Sequence, residues 1–243
     1  MSDAVTLTLL LFVAALLYTS VGHAGASGYL AAMAFYGLAP AQMRPTALIL
    51  NLVASTLATT RFRSAGHFDR RLFLILAVGS VPMAFVGGKL MLPAAVYRPV
   101  LAAALLIAAA RLAWPLAAAT APPRRMPVWA GVALGLGIGL LAGLTGVGGG
   151  IYLTPVLLFA GWAQTKTAAG VSAAFILVNS AAGLAGRLTE SPYLSPHLPV
   201  WAAVVLIGSL IGSTLGSRVF GSTTLRRILS VVLASASVKL IIG

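Results

Sequence analysis

Two glycine-rich interruptions, each inside a long apolar stretch, constrain this chain more than any other feature. Gly22-His23-Ala24-Gly25-Ala26-Ser27-Gly28-Tyr29-Leu30 is the first. Gly143-Leu144-Thr145-Gly146-Val147-Gly148-Gly149-Gly150-Ile151-Tyr152-Leu153 is the second. Each is followed by a short apolar segment, a lone cation (Arg44 or Lys166) and another apolar span. Glycine interruptions at corresponding places in two apolar halves point to discontinuous helices around a shared binding site.

The solvent for these segments is lipid. Hydrophobic residues make up 60% of the chain and charged residues 8%, against about 25% charged in a soluble domain. Repeated apolar runs near the roughly 20 residues of a membrane span predict an all-α polytopic membrane protein. Asp3, Asp69 and Glu190 are the only acids, set against 16 lysines and arginines. Most of the cations fall at span ends, where they orient the chain and anchor it to headgroups. No basic and aromatic interleaving suggests a nucleic-acid partner. With no cysteine, thiolate chemistry and disulfides are excluded. The start lacks a basic n-region, so residues 5–21 read as a first span and not as a cleaved leader.

The apolar runs lie at about 5–21, 29–43, 45–60, 72–92, 97–118, 128–146, 151–165, 167–186, 199–219 and 225–242. Three prolines and two arginines within 121–127 read as an exposed linker. It divides a first transmembrane repeat, 1–120, from a second, 128–243. Each repeat holds about five helices, giving eight long spans plus two short helices after the glycine breaks. The internal match pairs Tyr29-Leu30 with Tyr152-Leu153, Gly37 with Gly161, and Gly79-Ser80, Gly87 and Lys89 with Gly208-Ser209, Gly216 and Arg218. If the short segments are re-entrant, the repeats are parallel; if they cross, the repeats are inverted. Inversion gathers more cations on one side, with the N-terminus outside and the linker inside, and is the favoured arrangement. Gly131, Gly135, Gly139 and Gly143, and again Gly208, Gly212 and Gly216, form smooth stripes whose expected role is helix packing.

The breaks carry the expected chemistry. A helix that restarts inside a membrane aims unpaired N–H groups and its positive dipole end at the gap, which suits an anion. The restarts are expected near Ser27-Gly28-Tyr29 and Gly149-Gly150-Ile151. The candidate substrate-binding residues are His23, Gly25, Ser27, Gly28, Tyr29, Thr46, Asn51, Thr145, Gly148, Gly149, Gly150, Tyr152, Ser172 and Asn179. The two asparagines weigh most among the polar groups, because a buried amide is costly. The matched tyrosines are expected to line the site. Gly149→Leu is expected to fill it while leaving the fold intact. No carboxylate lies within a span, so a carboxylate proton relay is absent. No motif of a hydrolase or metalloenzyme occurs, and no cofactor or metal is implied.

The run Gly143-x-x-Gly146-x-Gly148-Gly149-Gly150, with Pro155, Gly161 and Ala168-Ala169-Gly170-Val171-Ser172, resembles the signature of the TauE/SafE family. That resemblance spans the chain. It implies a non-enzymatic permease or exporter of small anions in the bacterial inner membrane, sulfite and organosulfonates among them. The first repeat departs from the pattern at His23, Ala26 and Arg44-Pro45-Thr46. The expected mechanism is alternating access around a site between the two broken helices, with a passive anion channel as the alternative. A small anion and the bilayer are the expected partners, with self-association open.

Overall fold

The computed structural model describes residues 2–20, 24–113, 123–190, 194–215 and 222–242. Ten helices fill them, and no strand occurs among the described residues. They are α1 (Ser2–Ser20), α2 (Ala26–Phe35), α3 (Pro40–Ser64), α4 (Arg70–Lys89), α5 (Ala94–Ala113), α6 (Val128–Thr145), α7 (Gly150–Phe159), α8 (Thr165–Leu188), α9 (Leu198–Leu215) and α10 (Ser222–Ile242). Four of these, α4, α5, α6 and α8, are long and apolar enough over their described residues to cross a membrane. The outer surface is apolar: Val78, Ile107, Phe159 and Val231 are all more than half exposed, which suits lipid and not water.

Sequence fixes the ends of the short helices. Both α2 and α7 have 10 residues, about 15 Å at 1.5 Å per residue, or half of a hydrocarbon core roughly 30 Å thick. Each starts after a glycine in the left-handed region, Gly25 at φ 93° and Gly149 at φ 84°. Each ends in the same glycine cap. Gly37 N–H donates to Ala34 O and Leu38 N–H to Met33 O, while Gly161 N–H donates to Leu158 O and Trp162 N–H to Leu157 O. These are paired Schellman motifs around Gly37 (φ 66°) and Gly161 (φ 65°). Counted from the starting glycine, Tyr29 therefore occupies the position of Leu153, not of Tyr152. The tyrosine match expected from the sequence is displaced by one residue. One place along a helix turns a side chain by about 100°, and Tyr29 is wholly buried while Tyr152 is only half-buried.

Successive helices alternate in direction. Along the α4–α6 seam, Gly79 lies against Val132 and Gly87 against Leu140, so those two run parallel. Along α1 and α9, Trp201 Nε1 donates to Thr8 Oγ1 at 3.0 Å, and Gly212 meets Leu16. They too are parallel. By contrast α3 and α8 are antiparallel, with Leu48 near Gly183 and Phe62 near Gly170. So are α5 and α10, where Ser230 Oγ donates to Ala109 O and Ser237 Oγ to Ala102 O, both at 2.8 Å. Beyond its break α2 folds back on α1, with Gly28 against Ala14 and Tyr18, and α7 folds back on α6, with Gly149 against Ala142 and Ile138. Odd-numbered helices thus run one way and even-numbered helices the other.

Two faces result. The linker face carries residues 123–127, the end of α3 and the start of α8, and with them Arg61, Arg63, Arg70, Arg71, Arg111, Arg124, Arg125, Lys166 and Arg227. The N-terminal face, where α1 begins, carries Arg44, Lys89, Arg98, Arg187 and Lys239.

The glycine stripes pack as expected. A methyl added at Gly135, Gly139 or Gly143 would run into Leu76 O, Ser80 O or Ala84 O of α4. Gly208 and Gly212 press on α1 in the same way; Gly216 lies outside the described residues. These crossings bring backbone against backbone, which only a missing Cβ permits. Gly137, on the same helix as Gly139, meets nothing within 4 Å. We expect Gly139→Ala to cost about 1–3 kcal/mol through forced separation of α4 and α6. Gly137→Ala should leave stability unchanged or raise it by up to ~1 kcal/mol through helix propensity. Thermal unfolding of both variants in detergent checks the contrast, and equal effects would show that the seam is not tightly packed.

Candidate functional site

The second break is built from four consecutive non-helical residues. The helix α6 ends at Gly146, whose φ is 81°, and Gly148 (φ 79°) and Gly149 (φ 84°) carry the chain back toward α7. Three left-handed residues within four positions need glycine, since a Cβ in that region costs about 1–2 kcal/mol per residue. Space is also short. A Cβ on Gly148 would lie 2.8 Å from Ile176 Cγ2 and 3.0 Å from Asn51 Nδ2, and one on Gly149 would lie 2.8 Å from Phe175 Cε1. Gly149 is therefore enclosed by packing, and Gly149→Leu would break the fold instead of merely plugging a site.

The carbonyl end of α6 is capped by side chains from the first half of the chain. Arg44 Nη2 donates to Gly143 O at 3.0 Å, Tyr97 Oη to Thr145 O at 3.1 Å, and Asn51 Nδ2 to Gly146 O at 3.3 Å. Inside a membrane such carbonyls must find partners within the protein. The hydroxyl of Thr145 donates to Leu141 O at 2.6 Å and accepts from Val147 N–H at 3.3 Å. At the first break Tyr29 Oη donates to Ala24 O at 2.9 Å. Tyr29 thus braces the break from within its own helix.

The restarting ends differ. Neither Gly25 nor Gly149 supplies a side-chain cap to the helix it starts. The first-turn N–H groups of α2 and α7 have no side chain at the cap to accept from them. The two ends come together: Ala24, Gly25, Ala26 and Ser27 of the first break share a cleft with Val147 and Ile151 of the second, closed by Tyr18 and Ile176. Its volume is about 20 Å³, room for about one water molecule. First-turn residues of both restarting helices, Ala26 and Ser27 of α2 and Ile151 of α7, therefore line one small, uncharged space.

Of the predicted residues the structure describes, only Gly25 and Ser27 line this cleft. Ser27 lines the cleft and donates to Tyr18 Oη at 2.9 Å. Gly28 instead packs on α1. Thr154 and Ser172 share a hydrogen bond at 2.8 Å, and Thr154 Oγ1 donates to Gly150 O at 3.0 Å, tying α7 to α8. Tyr152 packs between the two apolar clusters. Thr46, Asn51 and Asn179 are completely buried. Thr46 Oγ1, Asn51 Oδ1 and both amide atoms of Asn179 lack a partner, as does Ser180 Oγ beside Gly148. Each such group carries a desolvation cost of about 1–3 kcal/mol that a polar occupant would relieve. His23 lies outside the described residues. Sequence reasoning missed Tyr18, although a tyrosine four residues before the glycine run at Gly22, with its polar tip near an interruption, was a usable signal. Among the described residues no group of His, Asp and Glu could hold a metal ion.

We expect Gly149→Ala to lower stability by more than the ~1–2 kcal/mol of left-handed strain alone, because the methyl also meets Phe175 and Ile138. Gly161→Ala, at a similar φ with nothing within 4 Å, should cost only the strain. Melting temperatures of the pair check this, and a smaller loss at Gly149 would contradict the packing described.

A family model described as sulfite exporter TauE/SafE matches residues 7–240. The chain is 38% identical over 244 residues to the probable membrane transporter protein y4hK of Sinorhizobium fredii (strain NBRC 101917 / NGR234), with 99% of each chain covered. No solved structure matches it significantly.

Proposed function

Because this chain belongs to the sulfite exporter TauE/SafE family and is a multi-pass membrane transporter, we propose that it carries a small anion, sulfite or an organosulfonate, across the bacterial inner membrane. The observation that supports this most is the convergence of two uncapped half-helix N-termini on one buried cleft. Helix ends of this kind contribute about 0.3–2 kcal/mol each toward an anion. Two such ends with nearby hydroxyls and amides give modest affinity, which suits a site that must release its cargo. A cleft with room for about one water admits no anion without movement. That favours a carrier working by alternating access over a standing channel.

We further propose that the halves are inverted repeats related by an axis in the membrane plane. The packing supports this, because exchanging α1–α5 for α6–α10 maps the partnerships onto one another. The α4–α6 seam becomes α9–α1, and the α3–α8 and α5–α10 pairs map onto themselves. Strict alternation over five helices per half makes equivalent helices run oppositely. The larger share of cations on the linker face supports placing that face inside.

Two experiments test these readings. The chain has no cysteine, so single cysteines at Ser2 and Arg125 can be labelled in intact cells with an impermeant maleimide. Only the Ser2 position should react, and labelling of both would sink the inverted arrangement. For the site, Ala26→Leu should fill the cleft and cut uptake of labelled sulfite into proteoliposomes at least tenfold, with the protein still monodisperse. A wild-type rate would place the anion path elsewhere. In the wild type, sulfite loaded inside should accelerate uptake of labelled sulfite by exchange, which a passive channel would not show.

A further inference from the structure

Arg44 and Arg187 line one cleft of about 50 Å³ on the N-terminal face, where α3 and α5 begin and α4 and α8 end. Both are only 4% exposed. Arg44 is explained in part by capping: besides Gly143 O, it donates to Leu90 O at 3.0 Å and Gly87 O at 2.8 Å, and its guanidinium lies 5.9 Å from the centre of the Tyr97 ring. Helix C-terminal carbonyls welcome such a cation. Its Nε still has no partner.

Arg187 is not explained that way. Its Nε and Nη1 are buried with no hydrogen-bond partner. Among the described side chains no carboxylate balances the pair, the side chain of Asp3 lying outside them. Asp69 caps α4 on the opposite face, and Glu190 is exposed beyond the end of α8, its backbone N–H bonded to Arg187 O. Two buried like charges in one cleft, with donors unspent, are costly unless an anion joins them.

We infer that Arg44 and Arg187 form a second anion site, with Arg187 as the principal donor. The ligand class is a small oxyanion bearing at least two acceptor oxygens on one centre: a sulfite, sulfonate, sulfate or phosphate group. A guanidinium fork matches two such oxygens at once. The site shares no lining residue with the cleft between the half-helices. It does adjoin the end of α6, because Arg44 and Tyr97 hold Gly143 O and Thr145 O just before the second break. Its place in a transport cycle, as the station an anion occupies on the N-terminal face, rests on the carrier reading; the binding itself does not.

Isothermal titration of the purified full chain with sulfite, sulfate, phosphate and methanesulfonate, each in turn, tests the site. At least one should bind saturably. Arg187→Gln should weaken that binding at least tenfold, and Arg187→Lys, which keeps the charge but loses the fork, about threefold or more. Ala26→Leu at the central cleft should leave it in place. Absence of binding by all four probes, or wild-type affinity in Arg187→Gln, overturns the site. Loss in Ala26→Leu with Arg187→Gln unaffected would assign the binding to the central cleft and overturn this one as well. Loss in Arg187→Gln alone supports this site even if Ala26→Leu transports normally, an outcome that would count only against the central cleft. If Arg187→Gln does not elute as a monodisperse protein, the lysine variant alone decides, and unchanged affinity there overturns the inference.

Discussion

Backbone that leaves the helix inside a membrane has to be satisfied by protein, because lipid offers neither donors nor acceptors. Much of this structure follows from meeting that condition at the carbonyl end of the second break and not at the restarting ends. The carbonyls at the end of α6 are taken by Arg44, Tyr97 and Asn51, all from the first half of the chain. The second break is thus completed by residues that precede it by 48 to 99 positions, and the second half cannot cap it alone. The amide ends of α2 and α7 receive no such cap. Restarting helix ends left without a side-chain cap, beside carbonyls that are taken by donors, give the centre of the protein a positive bias without a charged side chain in the cleft.

Glycine performs two separate tasks around this centre. In the breaks and at Gly37 and Gly161, it supplies left-handed backbone. Along α4, α6, α8 and α9, it lets backbones touch. The second task joins helices from opposite halves: α4 to α6, and α9 to α1. The packing units therefore do not coincide with the two halves of the chain. In a carrier cycle of the proposed kind, bodies that move against each other would each contain helices from both halves, with the half-helices and their cleft between them.

Much of the architecture was legible in the sequence. Apolar runs separated by cations and prolines gave helices close to their observed places, because lipid permits little else. Glycine clusters marked both breaks within a few residues, since a left-handed turn favours glycine, once at Gly25 and three times between Gly146 and Gly149. The reading of Tyr29 against Tyr152 was off by one residue. Similar letters aligned the tyrosines, whereas the starting glycines and the Schellman caps set the true register. Gly149 was seen as a place to plug a site, but Phe175 and Ile138 already fill the space beside it.

By itself, then, the sequence determined solvent, helix content and the positions of the breaks, for these follow from local hydropathy and from backbone freedom at single residues. Tertiary structure alone decided which groups face one another. It turned Tyr29 inward to hold Ala24 O, brought Ser27 together with Ile151 and Ile176, and set Arg187 beside Arg44 although 143 positions separate them. Such partnerships depend on helix direction and on how closely two backbones can approach, and no local pattern of residues encodes either one.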